Sequence, residues 1–120
     1  MMLGKLLTTL LVPLAVACGQ SASGADRADC PEDRQSGCPA SALTYDTGIG
    51  ALLTERCSPC HAAGGVEASR LLTDYSHASG ERMSIGTQLV TCSMPPAGSP
   101  QLSVDERQQI LDWLTCGAPR

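Results

Sequence analysis

The chain of 120 residues contains no phenylalanine, one tryptophan and two tyrosines. A body this small with so few large side chains has little to fill a core with, so disulfides or a bound cofactor are needed to hold it. Lysine is nearly absent too, since Lys5 is the only one, and seven arginines face twelve carboxylates for a formal net charge of -4. That acidic balance argues against nucleic acid as a partner. No segment reads as a β-strand, no internal repeat is visible, and the apolar run from Leu6 to Ala17 is too short to cross a bilayer. Histidine occurs twice, at His61 and His77, which leaves few nitrogens for a metal site.

Cysteine is the exception, with seven in the chain. The first lies at the end of what reads as an export leader over residues 1–17. Lys5 supplies the positive start, Leu6 to Ala17 the apolar stretch, and "LAVAC" the small residues before Cys18. "LAVAC" is similar to the lipobox of bacterial lipoproteins, which implies a lipid on Cys18, export and a membrane-anchored position. The alternative is plain cleavage after Ala17. In an oxidising compartment most thiols are paired or otherwise occupied. If Cys18 goes to lipid and Cys57 with Cys60 to the motif below, then Cys30, Cys38, Cys92 and Cys116 remain for two disulfides.

Residues 18–43 begin as "CGQSASGADRADCPEDRQSGCPA", polar and without an apolar period, and read as a flexible tether. A local bridge between Cys30 and Cys38 would tidy its distal end, although four cysteines allow three pairings. Residues 44–120 then form the folded domain. A first helix is expected from an N-cap at Asp46 through "TGIGALLTER", where Ile49, Leu52 and Leu53 share a face. A weaker helix is expected within "DYSHASGERMSIGTQLVTC" around Met83, Ile85, Leu89 and Val90. The clearest is "SVDERQQILDWLTCG". Ser103 and Glu106 form a capping box, Val104, Ile110, Leu111, Trp113 and Leu114 make an apolar stripe, and Gly117 and Pro119 end it.

The first helix runs straight into Cys57-Ser58-Pro59-Cys60-His61. At i, i+3 and i+4 on a helical turn, two thiols and an imidazole lie on one face. That arrangement suits thioether bonds to the two vinyl groups of a haem and ligation of its iron by the same segment. A redox dithiol would also use such a Cys-x-x-Cys, with Cys57 as the attacking thiolate, but the strand and βαβ pattern expected before it are missing. Zinc needs four ligands, and no second pair stands at the required spacing. A second axial ligand has to come from downstream, where His77, Met83 and Met94 are the candidates. Met94 precedes Pro95 and Pro96, which stiffen its loop and can hold the sulfur in one place. Met83 reads as a core residue, His77 as solvated and Trp113 as core between the first and last helices near the haem. Arg70, Tyr75 and Arg82 are candidates to bond the haem propionates.

Over residues 44–118 the chain resembles the small class I c-type cytochromes. The likeness rests on the helix ending in "CSPCH", the "MPP" loop, and the last helix with Trp113 and Leu114. "CSMPPAGSPQLSVDERQQILDWLTCGAP" is similar to the C-terminal half of short, often lipid-anchored cytochromes of Gram-negative bacteria. The resemblance implies an all-α domain wrapped round one covalently attached haem c, with crossing first and last helices and His61 and Met94 as axial ligands. It also implies a disulfide between Cys92 and Cys116. The chain departs from the pattern where an aromatic is often found and Leu53 stands. No proline closely follows His61, and lysine is unavailable for docking.

The sequence therefore leads to the expectation of a monohaem electron carrier, not an enzyme, on the periplasmic side of a bacterial membrane and exchanging electrons with redox proteins. The alternatives are a haem-binding accessory or sensor module and a thiol-disulfide oxidoreductase using Cys57 and Cys60.

Overall fold

The computed structural model describes Cys18, Cys30 and residues 37–120. The expected leader over residues 1–17 and most of the tether up to residue 36 lie outside the described residues. Among the described residues there is no strand, and the fold is helical. No helix among them is long and apolar enough to cross a membrane. In order the elements are a π-helical turn over Tyr45–Ile49, α1 over Gly50–Arg56, α2 over Tyr75–Gly80, α3 over Arg82–Val90 and α4 over Val104–Thr115.

The first helical segment starts two residues earlier than expected. Its N-cap is Thr44, whose Oγ1 accepts from the Thr47 N–H at 3.3 Å, while Thr47 Oγ1 accepts from the Thr44 N–H at 2.8 Å. This is a capping box in which a threonine occupies the place usual for Glu or Gln. Asp46 sits in the first turn instead, 3.5 Å from the guanidinium of Arg120.

The second helical region is broken at Glu81 into α2 and α3. Its faces also differ from the expectation. Leu89 is buried and Ile85 packs on the core, whereas Met83 is 75% exposed and Val90 lies on the outside with it. Residues 83 and 90 are two turns apart and share a face, and Ile85 and Leu89 define the opposite one.

α4 starts and stops as expected. Ser103 and Glu106 form the capping box, with Glu106 N–H to Ser103 Oγ at 3.1 Å and Ser103 N–H to Glu106 Oε2 at 2.7 Å. At the other end Gly117 has φ +83, and the Gly117 and Ala118 N–H groups return to the carbonyls of Leu114 and Trp113. That is a Schellman stop, whose left-handed position favours glycine. Val104 is 63% exposed and does not belong to the apolar stripe, because it lies about 180° round α4 from Trp113.

The core consists of Ile49, Leu53, Ala78, Leu89, Ile110, Trp113 and Ala118. The scarce aromatics are concentrated there. Tyr45 meets Tyr75 edge-on with ring centroids 5.5 Å apart and lies 6.4 Å from Trp113. The Pro119 carbonyl accepts from both the Trp113 Nε1–H at 2.8 Å and the Tyr45 N–H at 3.0 Å, and the Ala118 carbonyl accepts from the Tyr75 hydroxyl at 3.2 Å. The tail after α4 thus ties down all three rings.

α3 and α4 run antiparallel. Leu89 near the end of α3 bonds Arg107 near the start of α4, and a Cβ built on Gly86 would lie 3.6 Å from Leu114 Cδ1 toward the end of α4. Cys92 and Cys116 are therefore at opposite ends of α4. The nine residues from Arg107 to Cys116 alone cover ~13 Å of helix, whereas a disulfide needs Cα atoms within ~7 Å.

That geometry corrects the expected pairings. Cys30 is bonded to Cys92 with Cα atoms 5.8 Å apart, and Cys38 to Cys116 at 4.7 Å. Neither the Cys92–Cys116 bridge nor the local Cys30–Cys38 bridge is formed. All four cysteines are in disulfides, but each joins the tether region to the helical body.

Candidate haem-attachment turn

Cys57 is the C-cap of α1, and its N–H bonds the Leu53 carbonyl at 2.8 Å. The chain keeps winding after it. The Cys57 carbonyl accepts from the Cys60 N–H at 3.1 Å and from the His61 N–H at 2.9 Å. The i to i+4 bond from His61 to Cys57 closes a helical turn and carries both side chains to one side of it.

Residues 62–72 fold back over this turn. The Glu67 N–H bonds the Cys60 carbonyl at 3.0 Å and the Leu72 N–H bonds the His61 carbonyl at 2.9 Å. Gly65 approaches so closely that a Cβ on it would collide with the Cys60 carbonyl. No side chain other than hydrogen fits there.

The imidazole of His61 is fixed by the same loop. Its Nδ1 lies 2.9 Å from the Arg70 carbonyl oxygen. A carbonyl can only accept, so Nδ1 carries the hydrogen, and in the neutral imidazole the lone pair is then on Nε2. An imidazole held in this way is ready to coordinate a metal through Nε2, and the hydrogen bond makes that nitrogen a better donor. Sequence reasoning left the partner of Nδ1 unnamed, because every residue has a carbonyl and nothing in the side chain of Arg70 marks it.

Met94 is half-buried. Its N–H and that of Ser93 both bond the Gln88 carbonyl, at 3.2 and 2.9 Å, which fastens the loop to the last turn of α3. Further along, Gln101 Nε2 donates to the Pro96 carbonyl at 2.9 Å, and Ser99 Oγ to the same oxygen at 2.6 Å. The loop around the two prolines is pinned at both ends.

The other sulfur and nitrogen candidates lie elsewhere. Met83 faces solvent on α3 and is not a core residue, contrary to expectation. His77 is exposed, as expected, and its Nδ1 is 2.6 Å from Asp74 Oδ2. The three proposed propionate partners have protein contacts: Arg70 with Ser84 Oγ at 3.3 Å, Arg82 with the Ser79 carbonyl at 3.1 Å and Tyr75 with Ala118. Trp113 is fully buried in the core cluster, against which Cys57 also packs.

No known protein family, curated protein or solved structure matches this chain.

The sulfur atoms of the turn have different partners. Cys60 is bonded to Cys18 with Cα atoms 6.2 Å apart, and Cys57 is a free thiol. The lipid expected on Cys18 and a haem thioether on Cys60 each need a sulfur that this bond uses. Burial pushes the Cys57 thiol up to about 11. At neutral pH its thiolate fraction is on the order of one in ten thousand, which works against Cys57 as an attacking nucleophile.

Among the described residues no three His, Cys, Asp or Glu side chains form a group able to hold a metal ion alone. A haem iron is a different case, because the porphyrin supplies four nitrogens and the protein only the axial atoms. The chemistry present fits that requirement: an oriented imidazole with a free Nε2, a half-buried thiol four residues before it, and a thioether on a pinned loop.

Three residues outside the sequence-derived site hold its segments in place. Arg56, just before Cys57, places Nε and Nη2 at 2.9 and 2.7 Å from Glu106 Oε1. Arg107 is buried, and its Nη2 donates to the Leu89 carbonyl at 3.0 Å. Glu106 was recognisable from the sequence only as a capping residue, and Arg107 carried no signal.

Proposed function

We propose that the chain is a monohaem c-type cytochrome that passes single electrons between redox proteins on the periplasmic side of a bacterial membrane, anchored by lipid on Cys18. The observation that carries this reading is the His61 imidazole on a Cys-x-x-Cys-His turn, with Nδ1–H committed to the Arg70 carbonyl and Nε2 left to coordinate. Cys57 and Cys60 would hold one haem c covalently, and His61 and Met94 would supply its axial atoms. When bound, the haem supplies a one-electron Fe(III)/Fe(II) couple, whose potential a thioether ligand raises.

The chain's own residues do the positioning. The Arg70 carbonyl and the Leu72 N–H hold His61 on both sides, and the Gln88 carbonyl and Gln101 hold the segment bearing Met94. The role proposed for the chain is electron exchange with redox proteins that meet an acidic chain.

In the proposed form Cys18 and Cys60 are not bonded to each other, and reaching it from their disulfide takes two electrons from a thiol reductant. Cysteine parity favours that form. With the Cys18–Cys60 bond made, Cys57 is left as an odd thiol. With lipid on Cys18, haem on Cys57 and Cys60, and the two remaining disulfides, all seven sulfurs are used.

The test is production in a host with periplasmic haem-ligation machinery, followed by acid-acetone extraction. Colour that stays with the polypeptide supports the reading, and colour that leaves entirely contradicts it. A haem-binding sensor would keep the colour but also take up carbon monoxide without mutation. A thiol-disulfide oxidoreductase would reduce insulin in a manner dependent on Cys57, which its raised thiol pKa opposes.

A further inference from the structure

Neighbouring residues of α4 hold the two segments that carry the proposed axial ligands. Glu106 takes both guanidinium contacts of Arg56 on Oε1, and its Oε2 accepts the Ser103 N–H at 2.7 Å. Arg56 is the last residue of α1 and directly precedes Cys57. Arg107 donates to the Leu89 carbonyl in the last turn of α3, which also accepts the Cys92 N–H at 3.0 Å. The carbonyl one residue earlier, that of Gln88, holds the N–H of Met94.

Adjacent residues in a helix differ by ~100° in direction and ~1.5 Å in height. One residue therefore reaches α1, the next reaches α3, and the two are fixed at the same level of α4. A guanidinium at the C-terminal end of α3 is also favoured by the negative end of that helix's dipole.

We propose that Glu106 and Arg107 are positioning residues that set the spacing between the Cys57–His61 turn and Met94, and so decide whether the Met94 sulfur reaches the iron. This inference rests on the cytochrome reading. Neither residue is a ligand. Both act through other segments, Glu106 through Arg56 and Arg107 through the end of α3.

The experiment compares the haem-loaded parent with Arg107→Met and Arg107→Lys. The ferric sulfur-to-iron charge-transfer band and the far-UV circular dichroism are followed together during heating. The expected result is that Arg107→Met loses the band well below its helix-melting temperature with haem still attached, and that Arg107→Lys, which keeps the charge but not the guanidinium geometry at the Leu89 carbonyl, shows a smaller gap. Parallel loss of band and helix in both variants would overturn the proposal, since that is what a purely structural role gives.

Because Arg107→Met removes a buried charge and can unfold the chain outright, amide hydrogen exchange on Arg107→Lys and Glu106→Gln supplies a second readout that does not use haem. Loss of one charge-assisted bond should raise local exchange ~tenfold or more. In Arg107→Lys the rise falls on Ser93 and Met94, and in Glu106→Gln on Cys60 and His61. A uniform rise across all four, or none, would overturn the proposal. A parent that retains no covalent haem refutes the cytochrome reading instead, whereas uniform effects in a haem-bearing parent refute only the positioning role.

Discussion

Paired cysteine replacements should rank in one order if the structure's disulfides are right and in the reverse order if the tether closes on itself. The Cys38–Cys116 bridge closes a separation of 78 residues and Cys30–Cys92 one of 62. Chain-entropy arithmetic gives ~4.5 and ~4.3 kcal/mol for these, as upper bounds because the two loops interlock. A local Cys30–Cys38 bridge would close only a short loop, ~2.5 kcal/mol on the same arithmetic. Replacing Cys38 and Cys116 together by Ser removes one bridge and leaves Cys30–Cys92 intact. Replacing Cys30 and Cys38 together takes one partner from each bridge and abolishes both. The Cys30/Cys38 variant should therefore be the less stable in urea, by up to ~4 kcal/mol, a large part of a small domain's total stability. Mass mapping of unreduced digests fixes the links directly. Greater loss in the Cys38/Cys116 variant, or a peptide joining Cys30 to Cys38, would refute the reasoning.

In the haem-free chain Cys57 should alkylate slowly at pH 8 and faster as pH rises towards about 11, its folded pKa. Because the folded state binds this proton more tightly than the unfolded one, the associated stability is complete below about 9 and is lost as pH climbs through about 11. Equal rates for native and denatured protein at pH 8 would contradict the burial. Gly65→Ala forces a methyl group into the Cys60 carbonyl and should cost ~1–3 kcal/mol in urea unfolding, with a lower yield of attached haem. Trp113→Phe should cost ~1–3 kcal/mol, toward the low end for the hydrogen bond because the Pro119 carbonyl keeps the Tyr45 N–H. Met94→Ala should abolish the ferric sulfur-to-iron band while haem remains attached, and survival of the band would move the ligand role away from Met94.

α4 was legible because its signals are local. Ser103 and Glu106 cap it, Ile110 and Trp113 face inward, and Gly117 stops it, all within reach of a few backbone bonds. The start of the first helix was less so. Thr47 fills a capping position by a hydroxyl rather than a carboxylate, and the eye goes to Asp46. Met83 and Val90 look like core residues in a sequence of few large side chains, but the face of α3 is set by its packing on α4, and α4 meets Ile85 and Leu89. Disulfide partners depend on the antiparallel run of α3 and α4, which puts Cys92 and Cys116 at opposite ends. Short sequence separation is no guide to that. The His61 turn was readable in its side chains and not in its support, since the Arg70 carbonyl is backbone.

The most direct test of the central claim follows the Cys60 sulfur. Unreduced protein made with haem-ligation machinery is digested, and the peptide containing Cys57, Cys60 and His61 is identified by mass. One haem is expected on that peptide, joined at both Cys57 and Cys60, with no link to Cys18. A haem-free peptide crosslinked from Cys60 to Cys18 in all of the material would contradict that claim.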